Sequence, residues 1–465
     1  GALPRGSALP SERALAQILD VHRNTVVKAY SELKSDAWIE SRQGVGYVVA
    51  AASSEKAPEE ESGEVQSGRV NWVSEVADKY LDMEKTFDDL FQRFTDESHY
   101  SLGSGVASRE VYTSERVAGD IAALLTGSGP CQYFFSPYKG DKFLRQKLVA
   151  FLGTKGVKAS SGEIQILSET NQALDFIVTL LVKPGDSVVM EEPVHPDMYR
   201  VMELAGAKIL TVPVDENGMN CEVLESLLTQ TRPRLIFVNS SYHDPTGNIL
   251  SLERRKKIVE LSNRYRVPIV EEDAASELVY DGDKLPPIKA FDTTGNVIYI
   301  YSFSLTFIPG LSLAFVTGNR DFVRALSYLV SVRLMASDWM TQKLLGMYLD
   351  DGSYYSSLAT FREIYSGNRD LVCQKLDALA HLGVRYERPR GGVYVWCRLP
   401  DGVDSKHFIN RAYNMGVTLI PGHVFYPYKN GGRDYIRINY SYESRERLAC
   451  GMDVLHKALE EELEE

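Results

Sequence analysis

Short apolar runs and amphipathic stretches take turns along the last three-quarters of the chain. Residues 164–167 are followed by helical spacing from Asn171, residues 187–190 by helical spacing near Met198, and residues 235–239 by helical spacing from about Leu252. Residues 267–271 and 297–301 are further buried-looking strands. This alternation predicts an α/β body with a mostly parallel sheet. Closer to the end, Gly391-Gly392-Val393-Tyr394-Val395-Trp396 and Tyr435-Ile436-Arg437-Ile438-Asn439-Tyr440 read as strands between helices, which predicts a smaller α+β lobe from about residue 366 to 465.

The first fifty residues carry a different pattern. Leu9-Pro10-Ser11-Glu12-Arg13 is a helix start in which Ser11 can cap, and Ala14, Leu15, Ile18 and Leu19 follow at helical spacing. Asp20-Val21-His22 is a short break. A second helix is expected from about residue 23 to 35, with Val26, Val27, Tyr30 and Leu33 on its inner face. Residues 38–49 then read as strand, Gly-containing turn and strand. Two helices joined by a short turn and followed by a wing suit a winged helix-turn-helix reader of double-stranded DNA. Arg23, Asn24, Thr25 and Lys28 sit on the start and exposed face of the second helix, where a recognition helix meets base edges. Arg13 and Arg42 suit phosphates, and Ser11, Gln43 and Gly44 complete the candidate DNA-binding set.

Residues 51–69 hold five acidic and two basic residues and almost no large apolar ones, a solvated linker. Residues 70–94 have helical spacing with many acids. The expected organisation is therefore a winged domain over 1–50, a linker and connecting helix over 51–98, and the body over 99–465.

Composition changes this picture little. Net charge is −12, yet residues 1–50 carry six Lys/Arg against five Asp/Glu, so a near-neutral head stands before an acidic body. Such a head is compatible with DNA, because a local basic face matters more than the total. Five scattered cysteines without metal or redox spacing point to the reduced cytosol. The apolar run at 173–182 is broken by Asp175 and too short for a membrane span.

The head resembles the DNA-binding domain of GntR-type bacterial regulators, through Leu-Pro-Ser-x-Arg-x-Leu-Ala, Arg-Asn-Thr-Val-x-x-Ala-Tyr-x-x-Leu and a Ser-Arg-x-Gly-x-Gly wing. It is particularly similar to the MocR-type subgroup, whose head is fused to an aminotransferase-like body. Asp20 stands where that family often has glycine, and His22 where Ser or Thr usually caps. The family also has a helix ahead of Leu9-Pro10-Ser11, so the sequence, opening at Gly1, is expected to start inside the domain.

Six phrases of the body resemble fold-type-I aminotransferases: Pro184-Gly185-Asp186, Glu192-Pro193-x-x-Pro196, Asp244-Pro245-Thr246-Gly247, Pro309-Gly310-Leu311, Gly391-Gly392 and Ile420-Pro421-Gly422. The resemblance implies pyridoxal phosphate (PLP) as the family cofactor and locates its contacts. The Schiff-base lysine position is Leu305, which has no amine. The phosphate arginine position is Ser312, and the phosphate-cradling helix start reads Ser168-Glu169-Thr170-Asn171. The ring-stacking position is His195, the ring-oxygen position Asp244, the ring-nitrogen acid Glu272, and the tyrosine two residues on Ala274.

So many replacements in one pocket imply a lost cofactor site, no catalytic residue and no bound cofactor. The expected effector pocket comprises Glu169, Thr170, Asn171, His195, Asp244, Glu272, Ser302, Ser304, Leu305, Ser312 and Arg437. Arg437 matches the family's carboxylate-gripping arginine, and equally suits a salt bridge inside the small lobe. An amino acid or amine-like effector is expected. The favoured function is a homodimeric regulator that senses a small ligand without a Schiff base. The alternatives are a PLP-dependent aminotransferase, a regulator retaining noncovalent PLP, and a regulator whose body binds nothing.

Overall fold

The computed structural model describes residues 7–11, 14–16, 26–27, 29–30, 33–34, 39–42, 46–49, 93, 97–108, 110–127, 137–334, 338–429 and 431–464. The chain divides into two compact units, Gly1–Val76 and Ala77–Glu465.

In the first unit, residues 14–16 and the described residues between 26 and 34 are helical. The Ala14 N–H donates to the Ser11 hydroxyl at 3.2 Å, the cap that the sequence suggests. Ala16, Val26, Tyr30 and Ile39 are buried together, with Leu9, Leu15 and Tyr47 packed on them. The Tyr30 hydroxyl donates to the Pro10 carbonyl at 2.8 Å. Val27 and Leu33 do not join this core; they are 37% and 39% exposed. Val27 is turned some 100° from Val26 on the helix, and Leu33 lies a turn beyond Tyr30. The wing forms as expected: Ile39–Arg42 pairs antiparallel with Gly46–Val49, Ile39 opposite Val49 and Arg42 opposite Gly46. An isolated antiparallel bridge is added that the pattern does not announce. Ala8 bridges Val48, and the Leu9 N–H donates to the Tyr47 carbonyl at 2.8 Å. Arg13, Arg23, Asn24, Thr25, Lys28, Gln43 and Gly44 lie outside the described residues, as do the linker and, Arg93 aside, the connecting helix.

The second unit is built on an eight-stranded sheet. Its spatial order is Ile164–Leu167, Ala314–Thr317, Val297–Ser302, Ile269–Asp273, Ile236–Asn239, Ser187–Glu192, Lys208–Asp215 and Gly218–Met219. The five strands from Val297–Ser302 to Lys208–Asp215 are mutually parallel. Ala314–Thr317 runs antiparallel to both neighbours. The loop between Ser302 and Ala314 is too short for a crossover helix, so the chain must return beside the strand it left.

The strand expected at 267–271 runs instead from Ile269 to Asp273. Pro268 has no N–H for the ladder, though its carbonyl accepts from Ile236 at 2.9 Å. The shift brings Glu271, Glu272 and Asp273 into a strand buried at every residue. Glu271 is tolerated there because it accepts from the Ser240 hydroxyl at 2.6 Å and from the Ile288 and Lys289 N–H groups at 2.7 and 2.8 Å. Helices Thr170–Leu181, Pro196–Leu204 and Arg320–Arg333 bury their apolar faces on one side of the sheet. Cys221–Gln230 and Leu252–Tyr265 do so in a separate cluster.

The smaller lobe is a four-stranded antiparallel sheet in the order Arg385–Tyr386, Tyr394–Arg398, Tyr435–Asn439, Ile420–Pro421. Tyr100–Ser101 also pairs with Val417–Thr418, so the chain just beyond the connector is part of this lobe. Among the described residues, no helix is long and apolar enough to cross a membrane.

Candidate functional site

A cavity of about 530 Å³ opens beyond the carboxyl ends of the parallel strands, the place where open α/β sheets bind ligands. Strand Val297–Ser302 delivers the first wall. The Ser304 N–H and the Ser304 hydroxyl both meet the Ser302 oxygen, at 3.2 and 3.1 Å, so the chain turns at once. The Thr306 N–H donates to the Phe303 carbonyl, and the Leu311 N–H to that of Ile308, through Gly310 at φ 81°. Only glycine takes that backbone without cost. Ser304, Leu305, Gly310 and Ser312 thereby line the cavity, with Leu305 rooted in the main apolar core. Ser302 is buried behind Ser304 and is not part of the lining.

The second wall is the start of helix Thr170–Leu181. Glu169 takes the capping position without using its side chain as the cap. Desolvation lifts the pKa of its carboxyl above the ordinary range, and the neighbouring Ser312 hydroxyl works against that shift. Helix starts present N–H groups and favour anions, and here the anion is the protein's own. Asn171 donates to Asp197 at 3.1 Å. His195 caps Pro196–Leu204, its Nδ1 accepting from the Asp197 N–H at 3.3 Å, with Nε2 3.9 Å from Asp244.

Arg437 has a fixed partner. One of its terminal nitrogens donates to both Asp244 oxygens at 2.7 Å, and the other to the Gly103 carbonyl at 2.9 Å. Its guanidinium lies 4.2 Å from the centre of the Tyr394 ring, and the Tyr394 hydroxyl also bonds Asp244. Burial opposes the charge on Arg437, but Asp244 outweighs it and the pKa ends above the usual value. The bridge therefore joins the small lobe to the sheet lobe; it is not internal to the small lobe, as one sequence reading had it. Arg437 stands behind Asp244 and is not part of the cavity lining.

Glu272 forms part of the floor. It is 8% exposed, and one oxygen accepts from the Asn239 amide while the other has no partner among the described residues. Burial, and then the charges of Asp273, Asp244 and Glu271, push its pKa up to about 8. Behind it, Glu191 accepts from the Asn239 N–H at 2.6 Å and burial likewise pushes it up to about 8. His243, 3.7 Å from Glu191, is pushed down to about 4 by burial. For all three buried groups the shift favours the uncharged form.

Of the expected pocket residues, Glu169, Thr170, Asn171, His195, Asp244, Glu272, Ser304, Leu305 and Ser312 meet in one cavity. Sequence reasoning missed Asn239, Tyr394, Asp197 and Glu191. Asn239 closes a strand and Tyr394 follows the Gly391-Gly392 phrase, but nothing local marks either as a partner of a distant acid. Tyr242, also in the lining, holds a left-handed backbone at φ 53°, a strain that tends to mark functional sites.

Residues 101–453 match the family model described as aminotransferase class I and II, and residues 1–49 that of bacterial regulatory proteins of the gntR family. The chain is 28% identical over 460 residues to the HTH-type transcriptional regulator YdfD of Bacillus subtilis, covering 97% of this chain and 92% of that one. It is 27% identical over 370 residues to aromatic-amino-acid aminotransferase 1 of Thermococcus litoralis, covering 78% and 88% respectively. Among solved structures, the multiple substrate aminotransferase of Thermococcus profundus superposes with a TM-score of 0.79 at 26% identity, over 85% of this chain and 100% of that one.

Proposed function

This chain belongs to the class I and II aminotransferase family and opens with a gntR-type DNA-binding domain, and on that premise we propose a transcriptional regulator whose body senses a small ligand without a Schiff base. The observation that supports this reading is that Glu169, Ser312 and Leu305 line one cavity. The family cofactor brings a phosphate and requires a protein amine. Here the phosphate end holds a carboxylate and a hydroxyl, and the amine position is apolar. Two anions side by side repel. Ser304 and Thr170 supply hydroxyls but no charge to offset that. These residues do not fit PLP.

In this reading the body also pairs with a second copy, because two-fold operators present two half-sites to a dimer. The similarity to working aminotransferases favours the enzyme reading, and Leu305 opposes it, having neither an amine nor a proton-accepting group. Selection of bound fragments from random DNA by the full chain, followed by footprinting, tests the regulator. Asn24→Ala is expected to weaken the selected site by about ten- to a hundredfold, the worth of a base-edge contact of about 1–3 kcal/mol. Amino-group transfer by the PLP-supplemented protein, or DNA binding without sequence preference, would sink the proposal.

A further inference from the structure

The cavity's charge is one-sided. Glu169, Asp197, Asp244 and Glu272 line it, and among the described residues no lysine or arginine does. Asp244 is already neutralised by Arg437, and Asp197 is engaged by Asn171. Of the other two, Glu169 lies beside Ser312 at one wall and Glu272 lies on the floor. Glu272 is more than nine-tenths buried, yet one of its oxygens has no partner among the described residues. The Asn239 side-chain oxygen next to it is also buried without a partner. The floor of the cavity thus presents an orphan acceptor on Asn239 beside a carboxyl oxygen of Glu272 that a ligand can reach, a pair suited to a donor once Glu272 ionises. Val106, Val194, Met198, Phe237, Leu305 and Ala274 give the cavity apolar wall, between hydroxyl and amide groups.

We propose that the cavity takes a primary amine with an apolar body and without a carboxylate or phosphate, its ammonium donating to Glu272 and Asn239. Arg437 decides against an amino acid, because its terminal nitrogens are spent on Asp244 and Gly103. A ligand carboxylate would meet Glu169 and Glu272 instead. The proposal rests on the sensing reading above and names its ligand class.

Binding is coupled to a proton. Glu272 is held among Asp273 and Glu271 of its own strand, Asn239 and Glu191 of the next two strands, and Asp244 with Arg437 beyond. Burial keeps it protonated at neutral pH, and an ammonium beside it releases that proton. Affinity then rises with pH, by up to about tenfold per unit below pH 8.

The test is calorimetry on the full chain with phenethylamine and putrescine, against phenylalanine, ornithine and inorganic phosphate, at pH 6, 7 and 8. Phenethylamine is expected to bind at least tenfold tighter than phenylalanine, with affinity rising with pH. Glu272→Gln is expected to lose tenfold or more and to flatten the pH dependence. Asn239→Ala, which removes the other contact, gives a second weakened variant should Glu272→Gln fail to fold. Tighter binding of an amino acid or of phosphate overturns the proposal, as do unchanged affinities in both variants or silence from both amines. DNA selection with the same preparation separates the two ideas: specific DNA binding with no amine binding ends the ligand assignment and leaves the regulator standing.

Discussion

Replacing Glu272 by glutamine tests the electrostatics of the cavity floor directly. In the native chain burial and three neighbouring acids raise this carboxyl from 4.5 to about 8. Between those values the folded protein keeps a proton that the unfolded chain has released. Stability is therefore complete below about pH 4.5 and is lost as pH rises through about 8. Each such proton costs about 1.4 kcal/mol per pH unit, so the window of about 3.5 units spans at most about 5 kcal/mol. Glu191 carries a second proton and feels the Glu272 charge, so the two share part of that total. Glutamine is neutral at every pH and can still accept from the Asn239 amide. The variant should match the parent near pH 5 and gain on it by about 1.4 kcal/mol per unit up to pH 8. Urea midpoints followed by tryptophan fluorescence at fixed ionic strength, from pH 5 to 8, measure that widening gap. Parallel curves for the two proteins would show that Glu272 is not held protonated, and the reasoning would fail.

Arg437→Met strands the Asp244 carboxylate and should cost about 3–5 kcal/mol by urea titration, with Asp244→Asn in the same chain recovering part of the loss. Lys155→Met should cost a similar amount. The Lys155 side chain is fully buried, 2.7 Å from Glu277, and with Lys284 it outweighs burial to hold that carboxyl down to about 2. Leu305→Lys alone should not give a coloured protein with added PLP, since Glu169 still occupies the phosphate end; visible cofactor absorbance would contradict that. Ser11→Ala removes the cap on the first helix of the head and should lower its stability by about 1 kcal/mol, read as earlier loss of its amide protection in hydrogen exchange.

Much of the architecture was legible along the chain. Apolar runs alternating with 3.6-residue spacing gave the strands and helices of the sheet lobe, and Ser11 and the wing turn gave the head its order. Boundaries are less local: the apolar run begins at Val267, but the strand begins at Ile269, because Pro268 has no N–H for the ladder and the Val267 N–H donates to the Ser262 carbonyl at the end of the preceding helix. Val27 and Leu33 were assigned to a core that is narrower than their spacing suggested. Ala8 and Tyr100 entered sheets through partners 40 and more than 300 residues away, and no local pattern encodes that.

The sequence by itself determined which atoms the site contains: a leucine where an amine would be, a serine where a guanidinium would be, and a glutamate at a helix start. Those are identities, and neighbours in the chain suffice to align them. Only the tertiary structure decided which charges exist and which are cancelled. Arg437 could have met a ligand, and it meets Asp244, 193 residues distant; Glu272 is a carboxylate on paper and a protonated acid in its strand. Charge depends on desolvation and on the distance to other charges. Both are set by packing in space, whereas periodicity and motif are set by order along the chain.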